Sequence, residues 1–140
     1  PRARGMRGHA MTLTVTDLKI VQTKVNMLPY VSDPERWSRP EFWEDIDELG
    51  GDCEDFAIAK LQRLKAMGMP IAAMRLAACW CFPNRDGYHG VLLVDLAGQT
   101  WVLDNRYPLP MEHVLLPYEW HKFQIPGTRR WEYAQGAENG

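Results

Sequence analysis

Apolar positions at Leu18, Val21, Val25 and Leu28 recur at helical spacing behind Thr16 and Asp17, either of which suits a helix cap, so an amphipathic helix is predicted over residues 16–28. Pro29, Pro34 and Pro40 then interrupt regular structure through a connection rich in aromatic residues, Tyr30, Trp37, Phe42 and Trp43. A short helix over residues 41–49 follows, stopped by Gly50 and Gly51. In residues 52–67 the positions Phe56, Ala57, Ala59, Leu61 and Leu64 predict a long buried helix, closed by Gly68 and Pro70. Beyond Pro70, strand-like runs at 72–82, 90–96 and 100–103, with turns at 83–87 and 97–99, predict an antiparallel meander. Pro108, Pro110, Pro117 and Pro126 leave the remainder mostly loop, with one strand or short helix over 116–123.

A chain of 140 residues holds one core and not two. We assign the domain to residues 16–135 and read 1–15, basic and without periodicity, as a flexible or engineered leader, with Met11 a candidate natural start. The net charge of -2 argues against a nucleic-acid partner, whose phosphates call for a basic surface. No apolar run reaches the roughly 20 residues that cross a bilayer as a helix, so the domain is expected not to span a membrane. A monomer or weak dimer is expected.

Three cysteines, Cys53, Cys79 and Cys81, are too few for a disulfide framework or a four-ligand zinc site. Cys79 and Cys81 lie two apart in a strand, where they would bridge poorly, and they read as small buried hydrophobes. Cys53 differs, because it opens the buried helix directly after a glycine pair that lets the backbone turn sharply. A thiol reacts as its thiolate, a form favoured at a helix N-terminus or beside an imidazolium. His89, read at the start of the 90–96 strand, is the candidate base. Asp104, ending the next strand, is the candidate partner that fixes the imidazole tautomer. Each has a plainer reading: a buried cysteine, a surface histidine, a turn former before Asn105. On elements that can meet, the three compose a nucleophile, base and orienting group. His113 is the alternative base; it and His121 otherwise read as surface groups of the Pro-rich tail.

The run Gly51-Asp-Cys-Glu-Asp-Phe-Ala-Ile-Ala-Lys60, with the Gly68-Met-Pro70 helix exit, His89-Gly-Val-Leu and Val102-Leu-Asp-Asn105, resembles the bacterial transglutaminase-like cysteine proteinases. Val25-Asn26, Tyr30-Val-Ser-Asp33 and the segment from Trp37 to Trp43 extend the likeness to residues 25–118. The resemblance implies a papain/transglutaminase-like α+β fold, its central helix bearing the nucleophile and packed on an antiparallel sheet. It also implies a cysteine endopeptidase with a Cys-His-Asp triad at Cys53, His89 and Asp104, acting on a protein or peptide substrate. Characterised members are calcium-dependent periplasmic endopeptidases that cut surface adhesins and are restrained by an inner-membrane receptor. Their acidic calcium ligands flanking the cysteine correspond here to Asp52 and Glu54, with Asp55 a further candidate.

Hard oxygen donors suit calcium, whereas the plainer reading of the three carboxylates is the attraction of acidic groups to a helix N-terminus. Two departures stand out: a short region before the Val25-Asn26 motif, and Gly90 where a larger apolar residue more usually follows the histidine. A cytoplasmic setting, with Met11 as the start, therefore stands beside the periplasmic one. Two other functions fit the same residues: an amidase or acyl transferase using the same triad, and a non-catalytic, phage-associated peptide-binding module. Trp37 and Trp43 are expected to line or cover the cleft in each case.

Overall fold

Asp17 accepts the Thr14 backbone N–H at 2.8 Å, so helix α1 (Val15–Asn26) is capped at Thr14, not at the Thr16 or Asp17 expected from the sequence. An aspartate serves best three residues after the cap, where its carboxylate can turn back on an otherwise unpaired donor. The computed structural model describes residues 13–27, 52–82 and 86–134. Leu28, the aromatic connection with Trp37 and Trp43, the expected 41–49 helix and the Gly50-Gly51 pair lie outside the described residues.

Helix α2 (Asp52–Ala66) is the long buried helix, with Phe56, Ala57, Ile58, Ala59, Leu61 and Leu64 all withdrawn from solvent. It ends at Gly68, whose φ of 107° lets the Met69 N–H turn back to the Leu64 carbonyl at 2.9 Å. One 3-10 turn, Ile71–Ala73, leads into six strands: β1 (Met74–Phe82), β2 (Asp86–Leu96), β3 (Gln99–Leu103), β4 (Met111–Glu112), β5 (Glu119–Gln124) and β6 (Trp131–Tyr133). They form one sheet in the order β4-β3-β2-β1-β5-β6, every neighbouring pair antiparallel. Ala97 and Gly98, both at positive φ, make the two-residue turn between β2 and β3.

Side chains alternate across the sheet as the two-residue period requires. Met74, Leu76, Ala78, Leu92, Val94 and Leu103 face a core shared with Leu18, Val21 and Val25 of α1 and the buried stripe of α2. Ala77, Cys79, Val91, Leu93 and Val102 form a second core under Leu116, Tyr118, Trp120 and Phe123.

The structure corrects the sequence reading in two places. Strand β2 begins at Asp86, because Tyr88 and His89 continue the hairpin opposite Trp80 and Cys79; His89 is therefore inside a strand rather than at its start. The tail expected to be mostly loop contributes β4, β5 and β6, with β5 crossing to the far side of β1, so the sheet is more than a meander. Pro110, Pro117 and Pro126 stand between these strands and leave their ladders intact. Among the described residues no helix is long and apolar enough to cross a membrane.

Candidate active site

Helix α2 packs along β2, which brings its first turn, with the partly exposed Cys53, toward the strand that carries His89. The next strand, β3, runs in register Leu92 to Leu103 and delivers Asp104 just past its end, fully buried. The His89 Nε2–H donates to Asp104 Oδ1 at 2.7 Å. That bond puts a proton on Nε2 and leaves Nδ1 for the hydrogen bond that His89 also makes to Cys53. The structure thus brings together Cys53, His89 and Asp104.

Asp104 is held on every side. Its Oδ1 also accepts the Arg106 N–H at 2.8 Å, its Oδ2 accepts the Tyr118 hydroxyl, and its backbone carbonyl accepts Gln22 Nε2–H at 2.9 Å. Gln22 and Asn26, one turn apart on α1, each donate at 2.9 Å to the Tyr107 carbonyl, so α1 clamps the loop that positions Asp104. Tyr118 and Gln22 escaped the sequence reading, and Asn26 entered it only as part of the Val25-Asn26 motif, without a role. Gln22 leaves one signal in the sequence, a polar residue on the apolar stripe of Leu18, Val21 and Val25.

Burial opposes charge on His89, yet the hydrogen bonds and charges of Asp104 and Cys53 overcome it and push the imidazole up to about 9. Burial likewise opposes ionisation of Asp104, but His89, Tyr118 and the Arg106 N–H hold its carboxyl below the usual carboxylate value. An imidazolium facing an aspartate is thus the resting pair at neutral pH.

The sign of the linkage follows. With a folded value raised above its unfolded 6.5, His89 contributes stability that is complete below about pH 6.5 and is lost as pH rises through 9. Asp104, shifted down, contributes above about pH 4 and loses its share as pH falls. Urea unfolding should therefore find wild type more stable than His89→Gln by up to about 3 kcal/mol between pH 4 and 6.5, with the gap closing toward pH 9. A gap that is constant across this range would contradict the pairing.

Beside the pair, Cys81, Gly87, Tyr88, His89 and Arg106 line an open cleft of about 220 Å³. Cys79 is fully buried opposite His89, and Cys81 is partly exposed; burial pushes both thiols up, so neither competes as a thiolate. His113 stacks on Trp120 with ring centroids 4.9 Å apart, whereas it is His89 that meets Cys53. His121 is not the surface group expected from the sequence: it is buried among Trp80, Tyr88 and Tyr133, and its Nδ1 hydrogen-bonds the Tyr88 hydroxyl at 2.7 Å. Aromatic neighbours on β1, β2 and β6 enclose it, which tail composition could not reveal.

Of the three acidic metal candidates, Asp55 is buried in the first turn of α2, and the side chains of Asp52 and Glu54 lie outside the described residues. Among the described residues no three His, Cys, Asp or Glu side chains converge as a metal site. As a donor set, three carboxylates around a helix start fit a hard divalent cation.

A helix that opens on a cysteine, laid on an antiparallel sheet that carries a histidine, is the arrangement of the papain/transglutaminase-like class of cysteine hydrolases. The family described as bacterial transglutaminase-like cysteine proteinase BTLCP matches residues 4–138; the chain belongs to this family and is a cysteine peptidase. Among solved structures it is similar to Legionella pneumophila LapG, at 24% identity and a TM-score of 0.62 over 91% of this chain and 74% of that one. Calcium-bound LapG aligns with a TM-score of 0.64 at 22% identity, over 94% of this chain and 76% of that one. EGTA-treated LapG aligns with a TM-score of 0.57 at 22% identity, over 91% and 76%. At such identities the likeness speaks for the fold. Among curated proteins no match is found.

Proposed function

We propose that the chain is an endopeptidase in which Cys53 is the nucleophile, His89 moves the proton and Asp104 holds His89 in place. The observation that supports this most strongly is His89 bound at once to Asp104 and to Cys53. The Cys53 thiolate adds to a peptide carbonyl, and the Cys53 backbone N–H at the start of α2 donates to the developing oxyanion. His89 gives its Nδ1 proton to the leaving amine as the C–N bond breaks, leaving a thioester on Cys53 and a neutral imidazole. That imidazole takes a proton from water while the hydroxyl adds to the thioester; collapse releases the acid and restores the thiolate and imidazolium. The substrate approaches through the cleft bounded by Tyr88, His89 and Arg106.

Calcium fits the carboxylate donor set, and Asp52 and Glu54, with Asp55 as a third ligand, would hold it. Bound there it would neutralise acidic groups crowded at one helix turn. That LapG is known in a calcium-bound form supports this reading.

A peptide library incubated with wild type and with Cys53→Ala, in calcium or in a chelator, tests both parts. Cleavage by wild type in calcium alone is expected. Equal cleavage by Cys53→Ala would overturn the nucleophile, and cleavage undiminished by the chelator would overturn the calcium requirement.

A further inference from the structure

Cys81 on β1, Gly87, Tyr88 and His89 on β2 and Arg106 after β3 line one cleft of about 220 Å³. That volume is below the roughly 300–1,000 Å³ of a small-molecule pocket and suits one side chain, or the chain end, of a bound peptide. Among the described residues that line it, His89 and Arg106 carry positive charge at neutral pH and none is a carboxylate. Asp104 Oδ1 accepts both the His89 Nε2–H at 2.7 Å and the Arg106 N–H at 2.8 Å, so one buried oxygen sets where the imidazole and the root of the Arg106 side chain stand relative to each other. Beyond that anchored backbone Arg106 is exposed, and its guanidinium reaches the Cys81 thiol. Burial keeps this thiol neutral, and a neutral sulfur is a weak acceptor; a carboxylate entering the cleft is a far better partner for the guanidinium fork. The Tyr88 hydroxyl is engaged by His121 Nδ1 at 2.7 Å, away from the residues that line the cleft.

We propose that Arg106 is a specificity-determining residue whose guanidinium receives a substrate carboxylate, so that the peptidase favours bonds with an acidic side chain, or a free chain end, beside them. This rests on the triad reading above, which puts the cleaved bond at Cys53 and His89. A site that offers charged donors favours the carboxylate over its amide isostere, because the amide presents one acceptor oxygen and no charge. The bond from Arg106 to Asp104 belongs to the backbone N–H, so replacing the side chain keeps it, and specificity can be read as a ratio within each enzyme.

Peptide pairs that differ only as Glu against Gln, at each of the three positions on either side of the cleaved bond and closed by a C-terminal amide, measure that ratio in kcat/KM. In wild type one position should favour Glu about tenfold, mostly through KM, as expected of a hydrogen bond between charged groups. In Arg106→Gln the ratio at that position should fall to about one, and Arg106→Glu should cut a Lys peptide in preference to the Glu peptide. Where no amidated pair shows a preference, but the free acid of the same peptide is cut faster than its amide and Arg106→Gln erases the difference, the carboxylate is that of the chain end and the site stands. A preference for a carboxylate in neither arm, or one that Arg106→Gln retains, would overturn the proposal. Calorimetric titration of the same peptides into Cys53→Ala repeats the comparison without turnover: the carboxylate form should bind about tenfold tighter, and adding Arg106→Gln should remove the advantage. Cleavage that survives Cys53→Ala would instead overturn the triad reading, and the Glu-to-Gln ratio is read independently of it.

Discussion

His89→Ala should lower kcat/KM by ~10²–10⁴, the share usually carried by a positioned acid and base. The loss has two sources. The leaving amine departs without the proton that His89 Nδ1 would give it, and Cys53 loses the imidazolium that favours its thiolate. Because His89 sits inside β2, paired opposite Cys79, the substitution removes a side chain and leaves the backbone ladder in place, and circular dichroism should be unchanged. Retention of full activity on a peptide that Cys53→Ala cannot cut would exclude His89 as the base.

Asp104→Asn should act on both catalysis and stability. The carboxylate accepts from His89, Tyr118 and the Arg106 N–H in a place with no solvent to substitute for it. An amide offers one acceptor oxygen and forces an N–H against a group that should donate, so the imidazole loses its charge partner and is free to take the other tautomer. Breaking a buried pair of this kind by removing one partner destabilises by about 3–5 kcal/mol. Turnover should fall by ~10²–10⁴ as well. Urea denaturation and steady-state kinetics on the same variant check the two effects. A variant as stable as wild type and fully active would mean that Asp104 neither holds nor charges His89.

Much of this arrangement is legible in the sequence, and the reasons are local. Cys53 is marked by its place at the head of a helix with a long apolar stripe, and Asp104 by the turn that follows β3. His89 was legible as a residue but not in its setting, because Asp86-Gly87 has the composition of a turn while the pairing of Tyr88 with Trp80 extends the strand through it. Tyr118 could not be found at all: it contributes through a hydroxyl carried across the sheet by the short segment before β5, and no spacing in the chain announces a contact with Asp104. Gln22 lies between these cases. It is a polar residue set in an otherwise apolar helical stripe, and such a residue signals a buried partner without naming it.

The most direct test of the account is the rate at which iodoacetamide alkylates Cys53 between pH 5 and 9, measured by mass spectrometry in wild type and in His89→Ala. Wild type should be alkylated faster than the variant at the acid end of this range, because an imidazolium beside the sulfur favours its thiolate. Two superimposed curves, each rising like a free cysteine, would mean that the imidazole does not act on the sulfur and that the proposed chemistry is wrong.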